Sequence, residues 1–130
     1  MAQAVFNDEI RKLKIDAFAF SRGLFANGEP ISNNASLALC EIGISGFEHI
    51  SETVSENDIV EADYVIGISS SHAAKLIADF PLYCNKIYAF PKDISDPYGG
   101  NPEVYRRTLS EIQEGVKYII SEVFPNVDNI

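Results

Sequence analysis

Basic residues are scarce in this 130-residue sequence, and its middle has no Lys or Arg at all. Ten Lys and Arg face nineteen Asp and Glu, for a formal net charge of −9. From Ile31 to Ser70 there are seven acids, Glu41, Glu48, Glu52, Glu56, Asp58, Glu61 and Asp63. The first thirty residues balance at four acids against four bases, and from Ser71 onward eight acids meet six bases. No basic stripe exists to grip a nucleic-acid backbone or an anionic membrane, which argues against both partners. The acidic middle reads most simply as a solvated face. Cysteine is nearly as rare: Cys40 and Cys84 are too few for a disulfide framework and are expected to be reduced, mostly buried thiols. No apolar run approaches the ~20 residues of a membrane span. The sequence opens without a signal-peptide pattern, so a cytoplasmic protein is expected. No His, Cys and acid set has metal-ligand spacing, and no metal or other cofactor is expected.

What is present suits one α/β domain covering residues 1–130. Hydrophobic residues make up 46% and charged ones 22%. At this length folding buries roughly two-thirds of the surface. Ala2 to Leu13 reads as a helix, with Val5, Phe6, Ile10 and Leu13 on one side and no capping residue before it. Ile15 to Arg22 (IDAFAFSR), aromatic-rich and closed by Gly23, reads as a strand. Ser32 can cap a helix to about Ile42, with Gly43 as its stop. Ser55 and Asp58 have capping-box spacing for a short helix ending near Ala62.

Further along, Tyr64 to Ser69 (YVIGIS) and Lys86 to Phe90 (KIYAF) read as strands covered on both faces. Between them Ser70 or Ser71 can cap a helix through Asp79. Asn101-Pro102 opens the longest helix, to about Phe124, striped by Tyr105, Leu109, Ile112, Val116, Ile119 and Val123. Strands alternating with helices predict a parallel sheet in a three-layer α/β/α arrangement.

Ligands of such sheets sit beyond the carboxyl ends of the strands. Three loops qualify: Ser21-Arg22-Gly23, Ser69-Ser70-Ser71-His72, and Phe90 through Gly100. The third carries Asp96, Pro97, Tyr98, Gly99 and Gly100. A carboxylate there can act as a general acid if a leaving group comes within hydrogen-bond reach. Asp-Pro and Gly-Gly are also ordinary turn residues, and composition leaves both readings open. His72, near a helix start, reads as a surface or capping residue.

The segment from Ala62 to Ser69 with His72, followed by Asp96-Pro97-Tyr98-Gly99-Gly100 and Tyr105, resembles the low-molecular-weight protein-tyrosine phosphatases. The Asp-Pro-aromatic-Gly-Gly form is similar to their bacterial branch, which includes protein-arginine phosphatases. Ser21-Arg22-Gly23 resembles the family's Ser-Ala-Gly, with Arg where Ala is usual. Gly43 to His49 resembles the segment ending in a buried His, and Met1-Ala2-Gln3-Ala4 resembles the residues just after the phosphate-binding loop. The resemblance runs to about Phe124 and implies the phosphotyrosine-phosphatase-I-like fold. It also implies hydrolysis of phosphoprotein by a Cys thiolate and an Asp general acid. Asp96 would be that acid, Tyr98 one wall of the substrate slot, and Ser21 and His49 braces behind the phosphate loop.

The departure from the pattern is at the loop itself. Counting six residues on from Cys40 reaches Gly46 and from Cys84 reaches Phe90, so neither begins a Cys-x5-Arg string. Loop and first strand would lie ahead of Met1. The expectation is therefore an N-terminally truncated domain, inactive as it stands. Its phosphoprotein or phosphate-like ligand would be held only if the loop were present. A non-catalytic binding module on the same scaffold is the alternative. An arsenate reductase relative is another, although the resolving cysteines expected near the second helix are not present as a pair. Without a central strand, the strands at Ile15 and Tyr64 should either close up or be bridged by another chain, so a homo-oligomer is expected.

Overall fold

Local chemistry sets where the helices begin in the computed structural model, which describes residues 1–125. Helix α1 (Ala2–Leu13) has Met1 in the cap position with no side-chain cap, and Ala4, Val5 and Ile10 buried. It ends where Lys14 turns left-handed at φ 57° and its N–H closes on the Arg11 and Ile10 carbonyls. Helix α2 (Asn33–Glu41) starts where Ser32 Oγ accepts the Ala35 N–H at 3.2 Å. Gly43, at φ 90°, supplies the left-handed stop after it. Helix α3 (Glu56–Glu61) carries the expected capping box, with both Ser55–Asp58 bonds made. Helix α4 (Ser70–Asp79) is capped by Ser69, one residue before the expected start, because Ser69 is still extended and its Oγ accepts the His72 N–H. Helix α5 (Pro102–Val123) begins where Asn101 Oδ1 accepts the Val104 N–H at 3.0 Å.

The sheet has two parallel strands among the described residues, β1 (Val65–Gly67) and β2 (Ile87–Ala89). Val65 pairs with Ile87, Ile66 with Tyr88 and Gly67 with Ala89. Helix α4 and a short 3₁₀ segment (Pro81–Lys86) make the crossover. The main core is the stripe of α5 (Tyr105, Leu109, Ile112, Val116, Ile119) packed on Val5, Ile10, Leu39, Phe90 and Ile94. A second cluster joins Ile59, Ala73, Leu76 and Ile87. Two glycines permit this packing. A Cβ on Gly67 would lie 2.6 Å from the Ala73 backbone nitrogen, and one on Gly115 would lie 2.0 Å from the Phe90 ring. No helix among the described residues is long and apolar enough to cross a membrane.

Three sequence expectations are corrected. Ile15 to Arg22 does not form a strand, and no ladder joins it to β1 among the described residues. A strand is held by a neighbour's backbone, and here two carboxamides of α1 take that place. Asn7 Nδ2 donates to the Ala19 carbonyl at 2.8 Å, and Asn7 Oδ1 accepts the Ala19 N–H at 2.7 Å. One turn earlier on the helix, Gln3 Oε1 accepts the Ser21 N–H at 2.9 Å. Residues 3 and 7 share a helix face, and residues 19 and 21 share a side of an extended chain, so the two spacings match. Only Gly23 pairs as a strand would, giving its N–H to Glu52 and taking that of Val54.

The second correction concerns the sheet, whose two faces both meet core, Ile66 on the main cluster and Val65 and Ile87 on the second, but which leaves two tyrosines half exposed. Tyr88 and Tyr64 are each 49% exposed and lie side by side, ring centres 6.1 Å apart. Third, Cys40 and Cys84 are exposed, not buried. Helix α2 turns Ala35, Ala38 and Leu39 inward, which carries the next residue, Cys40, outward. Cys84 lies in the 3₁₀ segment, where no residue is buried.

Candidate active site

The residues singled out from sequence fall into two groups, each assembled by a loop against a helix start. The first surrounds the N-terminus of α1. Ser21 Oγ donates to Gln3 Oε1 at 2.8 Å and lies 3.3 Å from His49 Nε2. Gln3 therefore receives both the N–H and the hydroxyl of Ser21, fixing the hydroxyl beside the imidazole. His49 is brought there by the antiparallel bridge between Pro30 and Ile50, in which Ile31 N–H donates to the His49 carbonyl. Phe47 stacks on its ring, with centroids 6.1 Å apart.

This surrounding favours the neutral form of His49. Its pKa is lowered from the ordinary 6.5, first by burial, then by the positive charges of the Met1 α-ammonium and Arg22, against a smaller opposing pull from Glu52. Burial also lowers the pKa of the Met1 ammonium. A neutral imidazole has one nitrogen that donates and one that accepts, which is the chemistry of a brace rather than of a charge.

Arg22 sits next to this group but has its own partners. Its Nε donates to Asp58 Oδ2 at 3.2 Å and lies 3.6 Å from Glu52, while Nη1 donates to the Ser21 carbonyl at 2.9 Å. The guanidinium also rests on the Phe20 ring, 4.9 Å from its centre. Asp58 is held below the usual carboxylate range, chiefly by the Ser55 backbone N–H and also by Arg22. A guanidinium neutralised by two carboxylates is a poor anion receptor. Arg22 ties the Ser21 loop to α3 instead.

The second group is the loop from Phe90 to Gly100. Phe90 N–H donates to the Gly67 carbonyl at 2.7 Å, which starts the loop at the end of β1. Asp96 is exposed and its Oδ1 accepts the Tyr98 N–H at 3.0 Å, while Tyr98 is 82% exposed. Gly99 at φ 79° and the Gly100 N–H bond to Pro97 close the turn. The structure thus brings Ser21 together with His49, and Asp96 together with Tyr98. No hydrogen bond or ion pair joins the two pairs among the described residues. His72, in the Ser69-to-His72 loop, lies 2.5 Å from Ser69 Oγ through Nδ1, a contact local to the start of α4.

Sequence reading gave no role to Gln3 or Asn7, although they organise the first group. The available signal was their four-residue spacing on the inner side of α1, opposite a segment whose backbone needed partners.

Comparison with known proteins gives one family for nearly the whole chain. The family model described as low molecular weight phosphotyrosine protein phosphatase matches residues 1–128. A protein-arginine-phosphatase of Bacillus subtilis is 26% identical over 132 residues, spanning 95% of this chain and 87% of that protein. Another, from Geobacillus stearothermophilus, is 32% identical over 101 residues, spanning 72% of this chain and 68% of the relative. The structure superposes on a low molecular weight protein tyrosine phosphatase from T. tengcongensis with a TM-score of 0.86 at 31% identity, over 93% of this chain and 88% of the other. An arginine phosphatase structure from Geobacillus stearothermophilus gives 0.87 at 25% identity, over 96% and 84%. This chain belongs to the low molecular weight phosphotyrosine protein phosphatase family.

Proposed function

We propose that these residues form the general-acid, substrate-slot and bracing parts of a phosphatase acting on phosphorylated protein. In this reading Asp96 protonates the departing atom of the phosphorylated side chain, and Tyr98 walls the slot that side chain enters. Ser21 and His49 brace the phosphate loop through Gln3. The supporting observation is the Ser21–Gln3–His49 group itself. It fastens a neutral hydroxyl and imidazole to the first turn of α1, where the family resemblance has the phosphate loop enter. Phosphoarginine is favoured over phosphotyrosine as the target because both curated relatives are named for arginine.

A Cys-x5-Arg loop would supply the thiolate and the oxyanion donors, and no such string occurs in these 130 residues. Cys40 and Cys84 lie on α2 and on the 3₁₀ segment, outside the hydrogen bonds that make up the two groups. The 130-residue chain by itself is therefore proposed to be without turnover. It is also proposed to fold as one domain and to self-associate, since β1 has a single neighbour strand among the described residues.

The reading is tested in steps. The chain is assayed with p-nitrophenyl phosphate and with a phosphoarginine peptide, and no hydrolysis is expected. Turnover abolished by Cys40→Ser or Cys84→Ser would overturn the assignment. The codons upstream of Met1 are then read for an in-frame Cys-x5-Arg string. If one exists, the longer chain should hydrolyse the phosphoarginine peptide, and Asp96→Asn should lower kcat by about 10²–10⁴-fold. Activity indifferent to Asp96 would remove it from the mechanism. Light scattering that finds a monomer at every concentration would sink the self-association.

A further inference from the structure

Among the described residues, the loop that carries Asp96 and Tyr98 has a tip hydrogen-bonded only within its own turn and a base hydrogen-bonded to other parts of the molecule. At the tip, Tyr98 N–H bonds to Asp96 and Gly100 N–H to Pro97, all within the loop. At the base, Asp93 grips the first residue of α4 with both carboxylate oxygens. Ser70 N–H donates to Oδ1 at 2.8 Å and Ser70 Oγ–H donates to Oδ2 at 3.1 Å. The next residue, Ile94, is buried in the main core and gives its N–H to the Ile68 carbonyl at 3.2 Å. At the far end, Asn34 of α2 donates to the Gly100 carbonyl at 3.3 Å.

We infer that Asp93 is a positioning residue that sets where the Asp96 carboxylate stands over the end of the sheet. The inference rests on the proposed role of Asp96. Two features separate this from ordinary helix capping. Helix α4 already has its own cap, since Ser69 Oγ accepts the His72 N–H. The Asp93 carboxylate is thus a second acceptor at a helix start that Ser69 already terminates. It also comes from a distant loop, 23 residues along the chain. Both its bonds are charge-assisted, and a negative charge at the start of a ten-residue helix is favourable. Asp93 is three residues from Asp96, so a shift of its grip moves the acid with it.

The test uses the 130-residue chain and needs no turnover. Amide hydrogen exchange is followed by NMR in wild type, Asp93→Ala and Asp93→Asn. In Asp93→Ala the Tyr98 and Gly100 amides should exchange at least about tenfold faster, while α4 and α5 amides stay within about twofold. Asp93→Asn retains one acceptor oxygen without the charge and should fall between. The Asp96 ¹³Cγ resonance should move in the same order. Unchanged Tyr98 and Gly100 exchange would overturn the inference. So would equal acceleration in α4, which would make Asp93 a cap, or acceleration throughout, which would make it a general stabiliser. Because exchange reads the loop directly, the result stands apart from whether Asp96 proves to be the acid.

Discussion

Asn7→Ala tests the least expected feature of the fold, the replacement of a strand partner by carboxamides. The variant deletes two hydrogen bonds, of 2.8 and 2.7 Å, to the backbone of Ala19. Each contributes about 0.5–1.5 kcal/mol net, and more where the group left behind cannot reach water. Ala19 and Asn7 are both half-buried, so a loss of about 2 kcal/mol is the central value. Against this, Ala is the better helix former by about 0.7 kcal/mol at most. The net expectation is a destabilisation of about 1.5 kcal/mol, or roughly 6 °C in Tm for a chain this long.

The sequence has no tryptophan, so urea unfolding followed by far-UV circular dichroism is the suitable assay. The midpoint should fall by roughly 0.7 M at unchanged slope. Asn7→Asp keeps an acceptor for the Ala19 N–H but loses the donor to its carbonyl, so it should lie between wild type and Asn7→Ala. The variant should also be non-additive with Gln3→Ala, because both hold one short segment. An Asn7→Ala protein as stable as wild type, or more stable by the helix-propensity gain alone, would refute the reasoning. Water would then serve Ala19 as well as the carboxamide does.

Two further outcomes follow from the packing and the electrostatics. Gly67→Ala should cost at least about 2 kcal/mol, because its Cβ meets the Ala73 backbone at 2.6 Å and neither element can yield cheaply; a neutral result in urea titration would contradict the close approach of β1 to α4. His49 has a lowered pKa in the folded chain, so the unfolded chain binds its proton first as pH falls. Its contribution to stability should thus be complete above pH ~7 and decline as pH falls below ~6.5, a slope that His49→Gln removes; parallel pH profiles for the two proteins would show that burial of His49 is not linked to folding.

The parts legible in sequence are those decided within four or five residues. Ser32, Ser55 with Asp58, and Asn101 each announce a helix start by a side chain that bonds an N–H three residues on. The stripe of α5 is legible for the same reason, since six of its residues recur at helical spacing along one helix. Ser69 shows the resolution of such reading: three consecutive serines compete, and only the one still extended in the fold can cap. The segment from Ile15 to Arg22 shows its limit. Those residues have the composition of a strand, but composition supplies no partner. What they pair with is decided by Gln3 and Asn7, twelve to eighteen residues earlier.

The same distinction explains why the candidate site was only partly visible. Asp96 and Tyr98 are bonded two residues apart, so the turn that presents them is written locally. The groups that fix this turn in space, Ser70 and Asn34, lie 23 and 66 residues from their partners and look unremarkable in the sequence. Ser21 and His49 are 28 residues apart and meet directly, with Ser21 held by Gln3, whose carboxamide has one oxygen to serve both the N–H and the hydroxyl of Ser21. That shared acceptor makes a demand on the rest of the site. With Gln3 already taking its proton, the Ser21 hydroxyl can present only lone pairs, and His49 at 3.3 Å must be the donor through Nε2. The brace is therefore a neutral chain directed from His49 to Ser21 to Gln3, and protonating His49 adds a charge to it without adding a bond on that side. Gln3→Glu, which replaces the carboxamide by a carboxylate, should strengthen the Ser21 bonds and raise the His49 pKa toward its ordinary value, the shift read by ¹H–¹⁵N imidazole NMR. A His49 titration that stays where it is in Gln3→Glu would show that the imidazole answers to burial alone.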